Sequence, residues 1–449
     1  MANTCVPIPT SGYLLLTPFR MPNNMWAIAF SNDGGSLLTG AISIVITIIS
    51  MCIWDLACYW VMFFRFRHSL TRVVWLVMMW NANDPGVALK HMLVYSAYYR
   101  RKPSDFFFGI TIAMVALVIY VGSMLVGVFT TQLLQVGNVA PASPSGIFYP
   151  ASPNNNNKAQ MLQAVSLQTL PALRAINCVG ATKAALESKV KIDSDIFPST
   201  EEDGDQHLSL TYQYSLNGAD LGLQHASELV LAVQGSCMTE YGWIVDDTQE
   251  QETDTYRLWG NVSGSRVVHV PLDIGDVAKV TFQSHPDADD QLRKDANVSF
   301  AVVVNTAHRA SISQQHDPWY ATERRPNDGR PEPPPFGASF RIKRRMPVLS
   351  CWQKDQWTYG TQTVSSVLAL KDISGLQLAK VLTDVLEMAF GVPMIIRLGN
   401  AGGEMSLRSH VRSTGGVVDA AASTMYGDMQ HLILASFVAS RNVFAEATN

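Results

Sequence analysis

The sequence predicts a membrane protein with two N-terminal transmembrane helices and an α+β ectodomain, in which an antiparallel sheet or sandwich is followed by C-terminal helices. Three observations carry that expectation. Residues 106–129 form an uncharged run of 24, preceded by Arg100, Arg101 and Lys102. Residues 1–136 hold four acidic and eight basic side chains, whereas residues 137–449 hold 33 acidic and 25 basic ones. From Leu208 onward apolar residues recur at every second position, the period of a half-buried strand.

Residues 1–36 carry no secretory signal pattern, and Pro7, Pro9, Pro18 and Pro22 point to an irregular extracytoplasmic segment. Residues 37–64 are the first membrane candidate. Leu37–Trp54 is uncharged, Asp55 interrupts, and Leu56–Phe64 resumes the apolar run. These 28 residues exceed a hydrocarbon core of about 30 Å, so the span tilts or one end lies in the interface. Trp54, Tyr59 and Trp60 fit an interfacial aromatic belt. Asp55 has two readings: an intramembrane acid handling protons or cations, or a side chain beside the cytoplasmic headgroups.

Residues 65–105 form a basic loop, with seven Lys or Arg against Asp84 and Asp105. The positive-inside rule makes that loop cytoplasmic and both flanking segments extracytoplasmic. Val73–Trp80 and His91–Tyr99 are too short to cross. They read as interfacial helices on the inner leaflet, separated by the breaker Asn83-Asp84-Pro85-Gly86. Residues 106–129 are the second span. At about 1.5 Å per residue a helix of that length crosses a bilayer and satisfies its own backbone hydrogen bonds.

Residues 137–157 are rich in Gly, Pro, Ser and Asn and read as a stalk. Residues 158–306 form the β-rich part. A helix is expected over Ala159–Ser188, kinked or split by Pro171. Strands are expected at Leu208–Leu216, Leu229–Val233, Tyr256–Trp259, Arg266–Val270, Ala278–Gln283 and Val298–Asn305. The acidic run from Asp193 to Asp205 lacks the ligand spacing of an EF-hand and reads as a solvated loop. Residues 307–345 form a basic, proline-rich linker. Residues 346–449 read as a helical part: a stripe from Leu378 to Ala389, a short strand at Met394–Leu398 and a last helix over Val418–Phe444.

The chemistry is sparse. Sequons stand at Asn261 and Asn297, both in the region that charge asymmetry places outside the cytosol. Of six cysteines, Cys52 and Cys58 fall in the first span, leaving Cys5, Cys178, Cys237 and Cys351 as disulfide candidates. Cys237–Cys351 is favoured because it would tie the sheet to the C-terminal helices. No motif of a serine hydrolase, zinc protease, P-loop or dinucleotide fold occurs, so no residue is nominated as catalytic, cofactor-binding or metal-binding. His269, His285 and His308 have no partner in sequence. The stretches Gly235–Trp243 and Cys351–Trp357 join a cysteine to tryptophans. They read either as a sugar-stacking surface or as core tryptophans beside a disulfide. A mildly acidic ectodomain excludes nucleic acid as a partner.

The segments TEYGW (239–243), LWGNVS (258–263) and MPVLSCWQKDQW (346–357), behind a two-span N-terminus, resemble a family of uncharacterised multi-pass membrane proteins of filamentous ascomycete fungi. The resemblance implies no activity and no catalytic residue. It does imply a further transmembrane helix beyond the region of Val418–Phe444, where this chain ends at Asn449. The expectation is thus a glycoprotein of the plasma membrane or another secretory-pathway membrane. Its extracytoplasmic domain would serve interaction or sensing, with the lipid bilayer, and a cell-wall glycan or a partner protein, as contacts. The alternatives are a membrane-tethered enzyme acting on glycans or peptides, and a transport accessory subunit using Asp55.

Overall fold

A computed structural model describes residues 14–21, 25–63, 70–98, 103–134, 141–142, 158–198, 206–245, 253–260, 265–271, 279–293, 297–306, 309–325, 338–409, 413–414 and 417–444. Two units result, one of residues 30–138 and one of residues 1–29 with 139–449.

The first unit is helical. Its elements are α1 (Asn32–Phe63), α2 (Leu70–Trp80), α3 (Pro85–Tyr98) and α4 (Pro103–Leu134). α1 and α4 are long and apolar enough to cross a membrane. Their exposed faces carry Ile44, Ile48, Val118 and Leu125, the reverse of a helix facing water. α2 and α3 bury Trp75, Met79, Ala88 and Met92 in one cluster with Trp54 and Cys58 of α1 and Ile112 and Ala116 of α4. The expected pair of interfacial helices is therefore packed into a helical cluster. Gly109 of α4 makes room for Trp75, since a Cβ there would lie 2.4 Å from the indole ring. Asp84 ends the α2–α3 turn by accepting the amide proton of Val87 at 2.9 Å, a side-chain cap on α3. Trp54 departs from the aromatic belt: it is fully buried, and its indole N–H donates to the Ala82 carbonyl at 3.0 Å. Tyr59 and Trp60 are exposed.

The second unit starts with a hairpin of β1 (Pro18–Arg20) and β2 (Trp26–Ile28). Leu14 N–H donates to the Pro141 carbonyl at 2.8 Å, and Ala142 N–H donates to Gly222 O at 2.6 Å. The described part of the expected stalk, Pro141–Ala142, is thus buried and bonded. α5 (Lys158–Glu187) follows and runs through Pro171.

The strands are β3 (Val190–Pro198), β4 (Gln206–Asn217), β5 (Val230–Glu240), β6 (Thr253–Leu258), β7 (Arg266–Pro271) and β8 (Lys279–Ser284). After the short α6 (Ala288–Arg293) come β9 (Val298–Asn305), β10 (Ala310–Ser311), β11 (Thr322–Arg324), β12 (Phe340–Ile342), β13 (Val348–Tyr359) and β14 (Gln362–Val364). The chain then forms α7 (Lys380–Phe390), α8 (Met394–Gly402), β15 (Ser413–Thr414), β16 (Val417–Val418) and α9 (Met425–Arg441).

One antiparallel sheet runs β3-β4-β5-β13-β9-β8, with β14 pairing β13. The region after residue 346, read as helical apart from a short strand at Met394–Leu398, contributes the interior strand β13. Polar Gln353, Lys354, Asp355 and Gln356 in β13 hide the strand period. Gln353 is nonetheless buried, because Tyr212 reaches it. Tyr212 on β4 faces Gly235 on β5, which faces Gln353 on β13. The Tyr212 ring lies over Gly235, where a Cβ would meet it at 2.2 Å, and its hydroxyl donates to Gln353 Oε1 at 2.8 Å. Burial and a neighbouring carboxylate, Asp355, hold that phenol well above its ordinary range.

Helices cover one face of the sheet, and α5, α8 and α9 pack on one another there. The β6–β7 hairpin lies on the opposite face, burying Tyr256, Leu258 and Val270 against Ala301 and Val303 of β9 and Val348 of β13. The main sheet is covered by helices on one face and by the two-stranded β6–β7 hairpin on the other. Residues 394–398 are helical rather than extended. The short run Met394, Ile395, Ile396 and Leu398, broken only by Arg397, suits a strand or a buried helix, and here it forms α8 with Pro393 at its N-cap. The expected linker supplies β10, β11 and β12 to a second, five-stranded sheet with β15 and β16.

Candidate functional site

A cleft with a mixed polar and apolar lining opens where β7, β8, α6 and the α7–α8 turn meet. It has a volume of about 120 Å³ and is lined by Arg266, Ser284, His285, Asp289, Val298 and the Gly391–Pro393 turn. His285 follows β8 and is held by its backbone, with its N–H donating to Ser299 O at 3.0 Å. Its Nδ1 accepts the Asp287 amide proton at 3.1 Å, so the neutral ring carries its proton on Nε2. Arg266 opens β7, is exposed, and donates from Nη1 to Gln283 Oε1 at 3.1 Å. Asp289 lies in the first turn of α6 and is exposed.

Aromatic rings continue from this cleft. Trp259 stands edge-on to His285 at 4.9 Å, and Trp243 lies 5.6 Å from Trp259. Both tryptophans are half-buried and pack against the hairpin's core cluster. Trp259 holds φ at +60°, the left-handed region, which costs a side chain with a Cβ about 1–2 kcal/mol. Gly260 beside it has φ +64° at no such cost. The hairpin therefore presents a bulky ring at a position where glycine or asparagine would sit unstrained.

A second polar cluster has Asp428 fully buried and Asp317 half-buried. Asp428, in the first turn of α9, accepts from Ser409 N at 2.8 Å, Ser409 Oγ at 2.9 Å and Tyr320 Oη at 2.5 Å. Asp317 accepts from Met425 N, the first residue of α9, and from Trp319 N, each at 3.0 Å. Burial pushes the Asp428 carboxyl up to about 6 and that of Asp317 to about 7, against the hydrogen bonds that favour their ionised forms. Burial also raises Asp355 to about 6. None of these three acids lines the cleft, which contains one carboxylate, Asp289. The cluster joins segments about a hundred residues apart and works as a structural clasp.

Of the residues singled out in sequence, Asn297 is exposed and directly precedes Val298 of the cleft. Asn261, His308 and Cys5 lie outside the described residues. Cys237 and Cys351 form a disulfide across directly paired positions of β5 and β13. That bond joins neighbouring strands of one sheet rather than the sheet to the helical part. Cys178 is buried in α5 and is also disulfide-bonded. Cys52 and Cys58 are free thiols. Asp55 is exposed on α1, with no partner among the described residues. His269 pairs with Thr255 Oγ1 at 3.2 Å, away from the cleft. Of the two tryptophan stretches, Trp357 is fully buried as a core residue, whereas Trp243 belongs to the aromatic row. Arg266, Trp259 and Asp289 were not singled out: packing of the β6–β7 hairpin brings Trp259 and Arg266 to His285, and Asp289 lies one helical turn beyond it without any motif to mark it. No group of three or more metal-ligating side chains occurs among the described residues.

Fold and site together define an α+β protein with two N-terminal helices long and apolar enough to span a membrane, and an open aromatic-polar cleft. Residues 170–449 match the family model described as a domain of unknown function, DUF8406, and the chain belongs to that family. The three sequence segments that suggested a family resemblance all fall within the matched range, while α1 to α4 precede it. No curated protein and no solved structure matches the chain.

Proposed function

We propose that this chain is a two-span membrane protein whose region after residue 138 is an extracytoplasmic, glycosylated, non-enzymatic binding module, with the Trp259–His285 cleft as its contact site. The observation that carries the reading is the division of the chain. Residues 1–29 and 139–449 belong to one unit, while the long apolar helices lie between them in sequence. An even number of crossings brings a leading and a trailing segment to one side of a bilayer, and two such helices are available. The basic loop between them agrees with a cytoplasmic turn. A disulfide between β5 and β13 suits an oxidising compartment, and Asn297 is exposed for modification. A fungal secretory-pathway membrane or plasma membrane remains part of the same proposal.

Less supports the other readings. An enzyme acting on glycans with a pair of carboxylates needs both aimed at the cleft; Asp289 lines it, whereas Asp287 stands beside His285, its Oδ2 3.9 Å from Nδ1, and is not among the lining residues. A transport role for Asp55 has less behind it, since no hydrogen bond or ion pair involving its carboxylate occurs among the described residues. The test is protease protection on sealed vesicles, followed by deglycosylation. Residues 139–449 are expected to be protected in microsomes and to lose mass on glycan removal. Digestion of that region from the cytosolic side would overturn the topology and the glycan assignment together.

A further inference from the structure

We infer that the cleft at Arg266, His285 and Asp289, with the adjoining Trp259 and Trp243, binds a neutral carbohydrate, taking one sugar ring at a time. The inference rests on the binding-module reading and names its ligand class. Three features of the site select that chemistry.

The lining carries both signs of charge, with the Asp287 carboxylate 3.9 Å from His285 Nδ1 at its margin. Arg266 offers guanidinium donors, Asp289 offers carboxylate acceptors, Ser284 offers both, and His285 offers an Nε2 donor. An anion would meet Asp289 and a cation would meet Arg266. A ring of hydroxyl groups, each donor and acceptor at once, satisfies both. The aromatic row gives apolar surface beside these groups. Sugar rings carry axial C–H groups on one face, and the faces of tryptophan are electron-rich partners for them. Trp259 holds its indole in a left-handed turn against His285, so ring and polar groups stay in fixed relation. Finally, the volume of about 120 Å³ lies below the roughly 300 Å³ at which small-molecule pockets begin. An open cleft of that size takes the end of a chain or a single exposed ring, and is too shallow to enclose a peptide side chain together with its backbone.

The experiment uses the full chain in lipid nanodiscs, titrated with maltotriose, laminaritriose, mannotriose and chitotriose and read by saturation-transfer difference NMR and calorimetry. Saturable binding of at least one of the four is expected. Arg266→Ala and Asp289→Asn should each weaken it about tenfold, the loss of a hydrogen bond to a charged group. Both side chains are exposed, and an unchanged thermal midpoint serves as the fold control, which Trp259→Ala by itself would not provide. Asn297→Gln shows whether the chain's own glycan competes for the cleft. Binding to the wild type that these substitutions leave undiminished would overturn the inference. So would binding that appears only in Asn297→Gln, since the cleft would then belong to the attached glycan. Absence of binding by every trisaccharide to both folded forms would also overturn it. If protease protection still holds in that case, the ligand class fails and the topology stands. If residues 139–449 prove cytosolic, the underlying reading fails instead.

Discussion

Replacing both Cys237 and Cys351 with alanine tests how the sheet is stabilised. The two residues lie opposite each other on β5 and β13, which pair in register along 11 positions, Val230–Glu240 against Val348–Thr358. The strands therefore meet without the bond, and removing it costs the native sheet little. The effect falls on the unfolded chain, where the cross-link closes a loop with a sequence separation of 114. The chain-entropy relation gives about 4.7 kcal/mol for a loop of roughly 100 residues, with measured values for single bridges more often about 2–4 kcal/mol. Both sulfurs are buried, so the alanines also leave a small void whose cost adds to the total. The expected loss is about 3–5 kcal/mol. For a unit of about 300 residues, with an unfolding entropy near 2.1 cal/mol/K per residue, that lowers Tm by about 5–8 °C. The assay is calorimetry of the full chain in nanodiscs, with hydrogen exchange on β5 and β13. Mutation is cleaner than reductant, because Cys178 is also disulfide-bonded. A fall of less than about 2 °C, or a shifted β5–β13 exchange pattern, would refute the argument that the bond acts through the unfolded state.

The remaining expectations concern the acid clasp and two close contacts. Asp317 and Asp428 have carboxyls raised to about 7 and about 6, so the folded state holds protons that the unfolded chain has released. Their contribution to stability is full below the unfolded value near 4 and is lost as pH rises through 6–7. His431 acts in the opposite sense. Burial, with Arg408 and Lys183 nearby, lowers it to about 4, so its contribution is full above about 6.5 and lost as pH falls toward 4. Between pH 6.5 and 8 the acids dominate: Tm should fall across that window, and Asp317→Asn should flatten the slope, as measured by calorimetry. Gly109→Ala would place a methyl group 2.4 Å from the Trp75 ring and should destabilise the helical unit by about 1–3 kcal/mol, read by thermal unfolding in nanodiscs. Gly399→Ala gains up to about 1 kcal/mol of helix propensity but puts a methyl 2.0 Å from the buried Phe282 ring, so overpacking wins and Tm should drop.

Much of the fold was legible wherever one physical signal dominated a segment. α1 and α4 follow from uncharged length, and β4, β6, β7, β8 and β9 from apolar alternation bounded by turn residues. α5, α7 and α9 follow from helical spacing. The misses share a cause. β3 carries Asp193 and Asp195 and reads as a solvated loop, yet it is an edge strand whose charged side chains face water. β13 reads as polar because Gln353 accepts from Tyr212 of β4 and itself donates to Asp355 of the same strand. α8 looks extended because the short run Met394–Leu398, apolar except for Arg397, is too brief to show a helical period.

The sequence by itself determined where apolar helices long enough for a bilayer lie, which segment between them is basic, and which cysteines remain for disulfides. These properties belong to runs of neighbouring residues, and hydropathy and charge sum over such runs without reference to the fold. Only the tertiary structure decided that Cys237 faces Cys351 on adjacent strands, and that Trp54 and Trp75 close a helical cluster. It alone joined Asp317 and Asp428 at the start of α9, and set Trp259 against His285 beside Arg266 and Asp289. Each of these is a meeting of side chains from separate elements, and strand register and helix packing select the partners.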